Sequence, residues 1–319
     1  MRALLVVALA ASALFAPGSA SAAACSWASA DLPLPAGTRF AAITGAAADG
    51  SYVLGYGAAP AWQDVALLWH NGSVQSVPLE PGQFPDDVNA SGTVLVNSAD
   101  GHASRGGVEL DPLPGAGSAW AAAINAGGVA VGSSGSRLAI WPADSSVPRT
   151  LSGTDDDASW TVAGIDDQGR VAAWRYGLAE EAAQAYVWDE NGIRTLLRPL
   201  PGHTETEVRA IRNGRVVGLS RGAGTVGVEW DLQGNVVRTL TGSAEATDVT
   251  SSGDVLGLTP DGASVWRVHG DVEQPPVTAV YEEFADDGSL YGGTHNDGAD
   301  HDGTYTPVQA RCALSTVGE

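Results

Sequence analysis

The chain has 319 residues, and its 37 acidic and 16 basic side chains give a formal net charge of −21. Such an acid excess argues against nucleic acid or an anionic membrane as a partner, because their phosphate groups would be repelled. All 16 of these basic residues are arginine, and the lack of lysine excludes a Schiff-base, P-loop or kinase-type lysine.

The first 24 residues have the pattern of a secretory signal peptide. Arg2 supplies a positive start, residues 3–16 form an apolar stretch, and small residues follow up to Ala24. The small-x-small rule places cleavage after Ala22 or Ala24, and the apolar stretch is too short to remain in a bilayer as a permanent helix. The sequence therefore predicts a secreted, extracellular protein whose single domain is residues 25–319.

Two cysteines occur, Cys25 directly after the predicted signal and Cys312 near the C-terminus. A cysteine pair in an exported protein predicts a disulfide. The alternative is a lipid anchor on Cys25, since residues 22–25 (AAAC) resemble a lipoprotein cleavage box. That box lacks the usual leucine, and a lipid on Cys25 would leave Cys312 alone.

Seven copies of one pattern fill the rest of the chain. In the third copy, residues 121–141, an apolar run is followed by a glycine turn, a second apolar run and a third run that ends in tryptophan. The turn glycine recurs every 35 to 45 residues, which is close to the length of a four-stranded propeller blade. Its copies are Gly50, Gly92, Gly128, Gly169, Gly214, Gly253 and Gly288.

Each copy contains short runs rich in Val, Ile and Trp, which are typical of β-strands. Five third runs end in a tryptophan, whereas the second copy has none and the text before Cys312 falls at this place in the seventh. We interpret these tryptophans as packing between blades rather than as a carbohydrate platform, because each would bury a large apolar area. They are Trp69, Trp141, Trp188, Trp230 and Trp266.

Four strands in each of seven copies predict an all-β protein, a seven-bladed β-propeller. The seventh copy lacks a fourth run, and residues 27–35 (WASADLPLP) resemble one. We therefore expect the N-terminal segment to complete the last blade and to close the ring without a free edge strand. A Cys25–Cys312 disulfide would then join strands that a hairpin joins in the other blades.

The pattern A-x-I-N-x-x-G-x-V-x-G, followed by a tryptophan run and G-x-x-x-x-L, resembles the extracellular repeats known as the HAF family. It stands at Ala122 to Gly132 with Ala139 to Trp141, and again from Ala163 to Trp188. The likeness covers nearly all of the mature chain and implies a secreted bacterial protein of propeller-like blades. The family has no settled activity, so the resemblance implies no catalytic residues.

The strand order also predicts a candidate site, because the first strand of each propeller blade lines the central channel. Just before its last apolar residue, this strand has a small residue in four copies: Ala42, Ala123, Gly164 and Ala210. The other three copies have an acid there, with Arg209 nearby: Asp87, Asp248 and Glu283. Paired carboxylates can do acid–base work on a glycan or hold a metal. Alternatively, they form hydrogen bonds between blades or face solvent.

A second candidate is the acidic loop at residues 296–303, between the second and third strands of the seventh copy. Asp297, Asp300 and Asp302 lie close together there beside glycine, and such loops can wrap a calcium ion with oxygen ligands. The EF-hand spacing is absent, so the alternative is a solvated acidic loop. Calcium is the one cofactor that the sequence suggests.

The segment Gly218 to Gly222 (GLSRG) matches the G-x-S-x-G nucleophile elbow. That motif needs a strand, a sharp turn and a helix. Here it ends a predicted second strand and precedes another strand. We therefore interpret it as ordinary repeat text.

These patterns favour a monomeric, non-enzymatic binding or scaffold module outside the cell, with an unknown glycan or protein as its ligand. The alternative is a carbohydrate-active lyase or hydrolase that uses the channel carboxylates. Four tryptophans break the repeat rule, and we expect them to contact a ligand where they are exposed on a propeller face. They are Trp62, Trp120, Trp160 and Trp174.

Overall fold

A computed structural model describes residues 25–38, 40–59, 63–154, 159–176, 182–277, 279–295 and 305–314. The predicted signal, residues 1–24, lies outside the described residues. The same holds for Trp62 and for the predicted calcium ligands Asp297, Asp300 and Asp302.

The described residues form 28 β-strands and no helix. In chain order the strands are β1 (Cys25–Asp31), β2 (Phe40–Ala46), β3 (Tyr52–Ala58), β4 (Asp64–His70), β5 (Ser73–Pro78), β6 (Gln83–Val88), β7 (Val94–Ser98), β8 (Ala103–Arg105), β9 (Val108–Leu110), β10 (Trp120–Ile124), β11 (Ala130–Ser134), β12 (Arg137–Trp141), β13 (Arg149–Thr150), β14 (Ser159–Ile165), β15 (Val171–Tyr176), β16 (Gln184–Trp188), β17 (Arg194–Leu196), β18 (Glu205–Arg212), β19 (Arg215–Arg221), β20 (Thr225–Trp230), β21 (Val236–Thr239), β22 (Glu245–Val249), β23 (Val255–Thr259), β24 (Gly262–Trp266), β25 (Val272–Glu273), β26 (Val280–Phe284), β27 (Leu290–His295) and β28 (Tyr305–Leu314).

These strands form seven four-stranded antiparallel sheets arranged as the blades of a ring. Blades 1 to 6 are β2–β5, β6–β9, β10–β13, β14–β17, β18–β21 and β22–β25. Blade 7 consists of β26, β27, β28 and, as its fourth strand, β1. The predicted seven-bladed β-propeller is therefore confirmed.

The N-terminal strand closes the ring as expected. It pairs antiparallel with β28, with Trp27 opposite Cys312. Cys25 and Cys312 form a disulfide with their Cα atoms 5.5 Å apart, which confirms the predicted bond. A disulfide is typical of proteins that fold in an oxidising compartment. None of the described residues forms a helix that is long and apolar enough to cross a membrane.

The seven turn glycines all have positive φ angles, between 74° and 99°. Glycine adopts this left-handed conformation without steric cost, which explains why it marks every turn between first and second strands. The asparagine of the I-N motif then links neighbouring turns. Asn125 accepts a hydrogen bond from the Val129 amide at 2.9 Å, and its Nδ2 donates to the carbonyl of Asp166 in blade 4 at 3.0 Å. Asn89 of blade 2 donates to the Asn125 carbonyl in the same way.

The repeat tryptophans pack between blades, which confirms their predicted role. All five are at most 5% exposed. Each packs against the preceding blade, and the indole N–H of four also donates to a carbonyl beyond that blade's fourth strand. These bonds are Trp69 to Pro33 (2.7 Å), Trp141 to Asp111 (2.9 Å), Trp188 to Ser152 (3.0 Å) and Trp230 to Arg198 (2.8 Å).

The prediction for the first strand of blade 1 was wrong by three residues. The strand does not end at Ile43 but continues to Ala46, with a β-bulge between Ile43 and Gly45. The same bulge interrupts the first strands of the other blades, so the residue that faces the channel in blade 1 is Gly45 rather than Ala42. Blade 1 lacks the I-N motif, and the apolar Ile43 resembles a strand end although it is buried between blades.

Candidate functional site

The bulged ends of the first strands surround a central cavity of about 370 Å³. It contains the four residues that the sequence singled out for this position: Asp87, Arg209, Asp248 and Glu283. Small residues of the other blades leave room for these side chains. A Cβ atom at Gly45, for example, would lie only 2.8 Å from Oδ1 of Asp87.

Asp87 and Asp248 join neighbouring blades through their carboxylates. Oδ2 of Asp87 accepts a hydrogen bond from the Ile124 amide of blade 3 at 2.9 Å, while Oδ1 accepts from its own neighbour Val88. Asp248 repeats this arrangement, since Oδ2 accepts from the Phe284 amide of blade 7 at 2.7 Å. Both acids therefore satisfy backbone donors at a junction, as the alternative interpretation of the sequence expected.

Burial changes the acidity of both carboxyls. It raises the pKa of Asp87 to about 7, against the opposing effect of the two amide donors, and the neighbouring Asp86 adds to the rise. Burial likewise raises the pKa of Asp248, which Arg212 and the two amides hold down in part. It also raises the pKa of Asp86 to about 6. Near neutral pH the channel therefore holds protons that ordinary carboxyls would have lost.

Glu283 occupies the same bulge position in blade 7 but forms no such bond. No hydrogen bond or ion pair joins its half-buried carboxyl to any residue that the structure describes. Burial, followed by the charges of Asp248 and Asp87, raises its pKa well above the usual range, and Arg212 opposes this rise. Glu283 thus faces the channel as a carboxyl that holds its proton more tightly than an ordinary glutamate.

Arg212 is a channel residue that sequence reasoning missed. Its Nη1 donates to the Phe284 carbonyl at 2.7 Å, and its Nη2 lies 3.4 Å from Oδ2 of Asp248. Burial lowers the pKa of Arg212, but Asp248, Asp286 and Glu283 outweigh burial and raise it, so the side chain stays charged. The signal was in the sequence, because Arg212 follows Ile211 where the third copy has the asparagine of the I-N motif.

The sequence placed Arg209 near the three channel acids, but Arg209 pairs with other carboxylates. Its Nη2 lies 3.0 Å from Glu207 and its Nε lies 3.2 Å from Glu245, and the guanidinium sits 5.9 Å from the Trp174 ring centre. Arg209 thus bridges blades 5 and 6 at the end of the channel where the first strands begin. It is a structural cation there.

The irregular tryptophans differ in exposure. Trp120 is 40% exposed and lies near Asp86 of the channel wall, where it opposes the rise in the pKa of that carboxyl. Phe84 holds the equivalent place in blade 2 and is also 40% exposed. Trp174 is buried and so offers no ligand contact on a propeller face, and the half-buried Trp160 packs against Trp188. Two partly exposed aromatic side chains, Phe84 and Trp120, therefore lie at the starts of neighbouring first strands, outside the lining of the central cavity.

The G-x-S-x-G match is repeat text, as predicted. Ser220 lies in β19, and the chain continues into β20 without a helix. Its hydroxyl is fully buried, accepts a hydrogen bond from the Leu200 amide at 3.0 Å and lies 3.0 Å from Nδ1 of His203. A buried hydroxyl that already serves a backbone donor is not an accessible nucleophile.

Comparison with known proteins supports the fold alone. No protein-family model and no curated protein matches the chain. A chain in the crystal structure of the mitotic checkpoint complex is similar to it, with 15% identity, a TM-score of 0.56, and coverage of 97% of this chain and 100% of that chain. The β-propeller domain of the trilobed protease from Pyrococcus furiosus is similar too, with 9% identity, a TM-score of 0.53, and coverage of 87% and 99%.

Proposed function

We propose that the protein is a secreted, non-enzymatic binding module whose ligand, a glycan or a protein of the cell exterior, contacts the aromatic pair Phe84 and Trp120. One observation carries this proposal. The carboxylates of Asp87 and Asp248 are each held by two backbone amides, one of them from the next blade. Groups fixed in this way stabilise the ring rather than act on a substrate.

The aromatic pair supplies what recognition needs. Phe84 and Trp120 offer exposed aromatic surface on rigid strands. Aromatic side chains with little freedom to lose are favoured in binding sites. Asp86 beside them adds a hydrogen-bonding carboxyl. This combination of apolar faces and polar groups suits a glycan or a polar peptide.

Export and membership of the HAF family belong to the same proposal. The apolar N-terminal stretch, the cysteine pair and the repeat text support both. In this account the I-N asparagine of the repeat has a structural role, because Asn125 links the turns of two blades. The repeats would then encode the ring, and irregular residues such as Trp120 would encode the ligand.

A retention experiment tests the proposal. Residues 25–319 are immobilised and incubated with envelope fractions and with secreted polysaccharides, and both bound and released material are analysed. We expect saturable retention of one component without breakdown. Retention should weaken about tenfold in Phe84→Ala/Trp120→Ala and persist in the matched control Val147→Ala/Val237→Ala, whose valines are exposed elsewhere. Equal retention by both variants would show that the ligand does not contact Phe84 and Trp120.

The alternative of a carbohydrate-active lyase or hydrolase is favoured by Glu283 alone. A carboxyl with a raised pKa is what a general acid requires. In that case shortened glycans would appear in the released material. Glu283→Gln would then abolish their formation while leaving the melting temperature and the retention of intact glycan unchanged.

A further inference from the structure

The sheet register shows which junctions between blades lack the repeat tryptophan. In each blade, one residue of the third strand lies opposite the start of the second strand and points towards the preceding blade. Five blades have the repeat tryptophan at this position. Blade 7 has Ala310, opposite Leu290. In blade 2 the position falls on Gly106, whose amide donates to the Val94 carbonyl at 2.8 Å.

The short hairpin of blade 2 causes this loss. Its third strand stops at Arg105 and its fourth begins at Val108, so Gly106 and Gly107 form the turn where other blades still run as strand. Gly106 has a φ angle of 58°, which suits the turn and disfavours a larger side chain. In blade 1, by contrast, the third strand continues through Trp69 to His70.

A cleft of about 800 Å³ therefore opens between blades 1 and 2. Leu54 and Leu68 line it from blade 1, and Val94 and Val96 line it from blade 2. Its volume is in the range of small-molecule sites, and its walls are mainly apolar, as such sites usually are. It lies between two blades and is separate from the central channel.

The cleft retains the hydrogen-bond acceptor that its sister junctions use. In four of those junctions the indole N–H donates to the carbonyl of the residue that follows a leucine, as in Leu110–Asp111. The corresponding residues of blade 1 are Leu79 and Glu80, and both line the cleft. The Glu80 carbonyl accepts one bond, from the Gln83 amide at 3.0 Å, and a carbonyl oxygen can accept two.

The rim of the cleft is acidic. The carboxylates of Glu80, Asp100 and Glu109 are exposed there, and no arginine belongs to its described lining. His102 lies 2.7 Å from Glu109, whose hydrogen bond raises the pKa of the imidazole. Protonation of His102 offsets part of the charge of Glu109, but the exposed carboxylates of Glu80 and Asp100 leave the rim negative, so it attracts a cation.

We propose that this cleft binds a planar aromatic amine, an indole-sized ring with a protonated amino group. The ring takes the place that a tryptophan fills in five other junctions, and a ring N–H donates to the Glu80 carbonyl. The amino group lies at the rim beside Glu80 and Glu109. This site does not depend on the channel, so its failure and that of the proposed function are separate results.

Titration calorimetry with tryptamine tests the proposal, with indole and indole-3-acetate as matched probes of the same ring. We expect saturable binding of tryptamine and at least about tenfold weaker binding of indole-3-acetate, whose carboxylate the rim repels. Indole should fall between them. Absence of tryptamine binding, or equal affinity for the two charged probes, would overturn the proposal.

Variants locate the site. Val96→Trp fills the cleft from its own wall and should abolish tryptamine binding, whereas Val147→Trp, at an exposed valine of another blade, should leave it unchanged. Glu80 and Glu109 are exposed, so the double variant Glu80→Gln/Glu109→Gln should fold even if Val96→Trp does not. It should weaken tryptamine about tenfold and leave indole unchanged. If neither variant alters binding, or if Glu283→Gln removes it, the cleft is not the site.

Discussion

Two junctions of the ring lack the repeat tryptophan, and they are built very differently. Between blades 6 and 7, Ala310 stands at the tryptophan position, but Trp27 of the N-terminal strand packs against the same cluster. The Asp248 bond to Phe284 holds this junction as well, and the Cys25–Cys312 disulfide ties the strand that carries Trp27 to β28 within blade 7. Between blades 1 and 2, Gly106 stands at the position, Gly45 replaces the channel acid, and a cleft remains.

The junction beside the strands that close the ring is therefore well packed, whereas the junction where we propose a ligand site is open. Blade 7, where the chain's ends meet, contacts blade 6 through Trp27 and the Asp248 bond, and the disulfide secures the strand that carries Trp27. The junction at Gly106 has none of these three features. The short hairpin of blade 2 leaves no strand position there for a tryptophan. The ring therefore tolerates one open junction as long as the pairing of β1 with β28, which closes the ring, is secured.

The largest loss of stability should come from removing the disulfide that closes the ring. The disulfide closes a loop with a sequence separation of 287 residues. Loop entropy predicts a loss of about 5 kcal/mol of unfolding free energy in Cys25→Ser/Cys312→Ser. Urea unfolding measures this loss, and dithiothreitol should lower the midpoint of the wild type but not that of the variant. An unchanged midpoint in the variant would show that β1 needs no covalent help.

The next effect concerns a junction that is filled. Trp141 is fully buried between blades 2 and 3. We expect Trp141→Ala to cost about 3–5 kcal/mol, because it leaves a cavity and an unpaired Asp111 carbonyl. Trp120→Ala, at a tryptophan that is 40% exposed, should cost about 1 kcal/mol or less. Equal urea midpoints for the two variants would contradict the packing role of the repeat tryptophans.

The channel acids provide a smaller, pH-dependent test of the junctions that they join. The folded-state pKa of Asp87 is raised to about 7, whereas an unfolded aspartate titrates near 3.9. Between these values the folded state binds more protons, so stability falls as the pH rises. We expect the free energy of unfolding to be roughly 1–3 kcal/mol higher near pH 5 than near pH 8. Thermal unfolding should accordingly occur at a higher temperature near pH 5.

Asp87→Asn should reduce this pH dependence, because its side chain does not titrate. The exposed Asp261→Asn is the matched control and should preserve it. A wild-type protein whose stability rises from pH 5 to pH 8 would contradict the raised pKa values of the channel.

The smallest effect distinguishes two buried tryptophans. Trp141 donates to a carbonyl, whereas the buried indole nitrogen of Trp266 has no hydrogen-bond partner among the residues that the structure describes. Replacement by phenylalanine should therefore cost about 1 kcal/mol more at Trp141 than at Trp266. Urea midpoints of the two variants measure the difference, and equal losses would mean that the indole bond adds nothing to packing.

Repetition is why the fold was predictable. Glycine turns and tryptophans recur at fixed places, so the number of blades and the N-terminal closure followed from spacing. The first strand of blade 1 was misplaced because a bulge adds a residue without any mark in the sequence, and Ile43 resembled a strand end.

The channel site was predictable only in part. Position in the repeat placed Asp87, Asp248 and Glu283 in one cavity, but their partners are backbone amides of other blades, which no sequence pattern displays. Arg212 was overlooked because it replaces an asparagine whose role emerges only from the contact between turns. The missing tryptophan of the second copy was visible, yet its consequence, a cleft at Gly106, depends on the hairpin register.

Hydrogen exchange of the backbone amides tests most directly that the junction between blades 1 and 2 is the open one. We predict that the outer strands beside it, β5, β8 and β9, exchange fastest among the strands, while β1 and β28 remain protected. Saturating tryptamine should slow exchange at β5 and β8 and leave β20 and β21 of blade 5 unchanged. Uniform protection of all seven junctions, or fastest exchange at β1, would contradict the account.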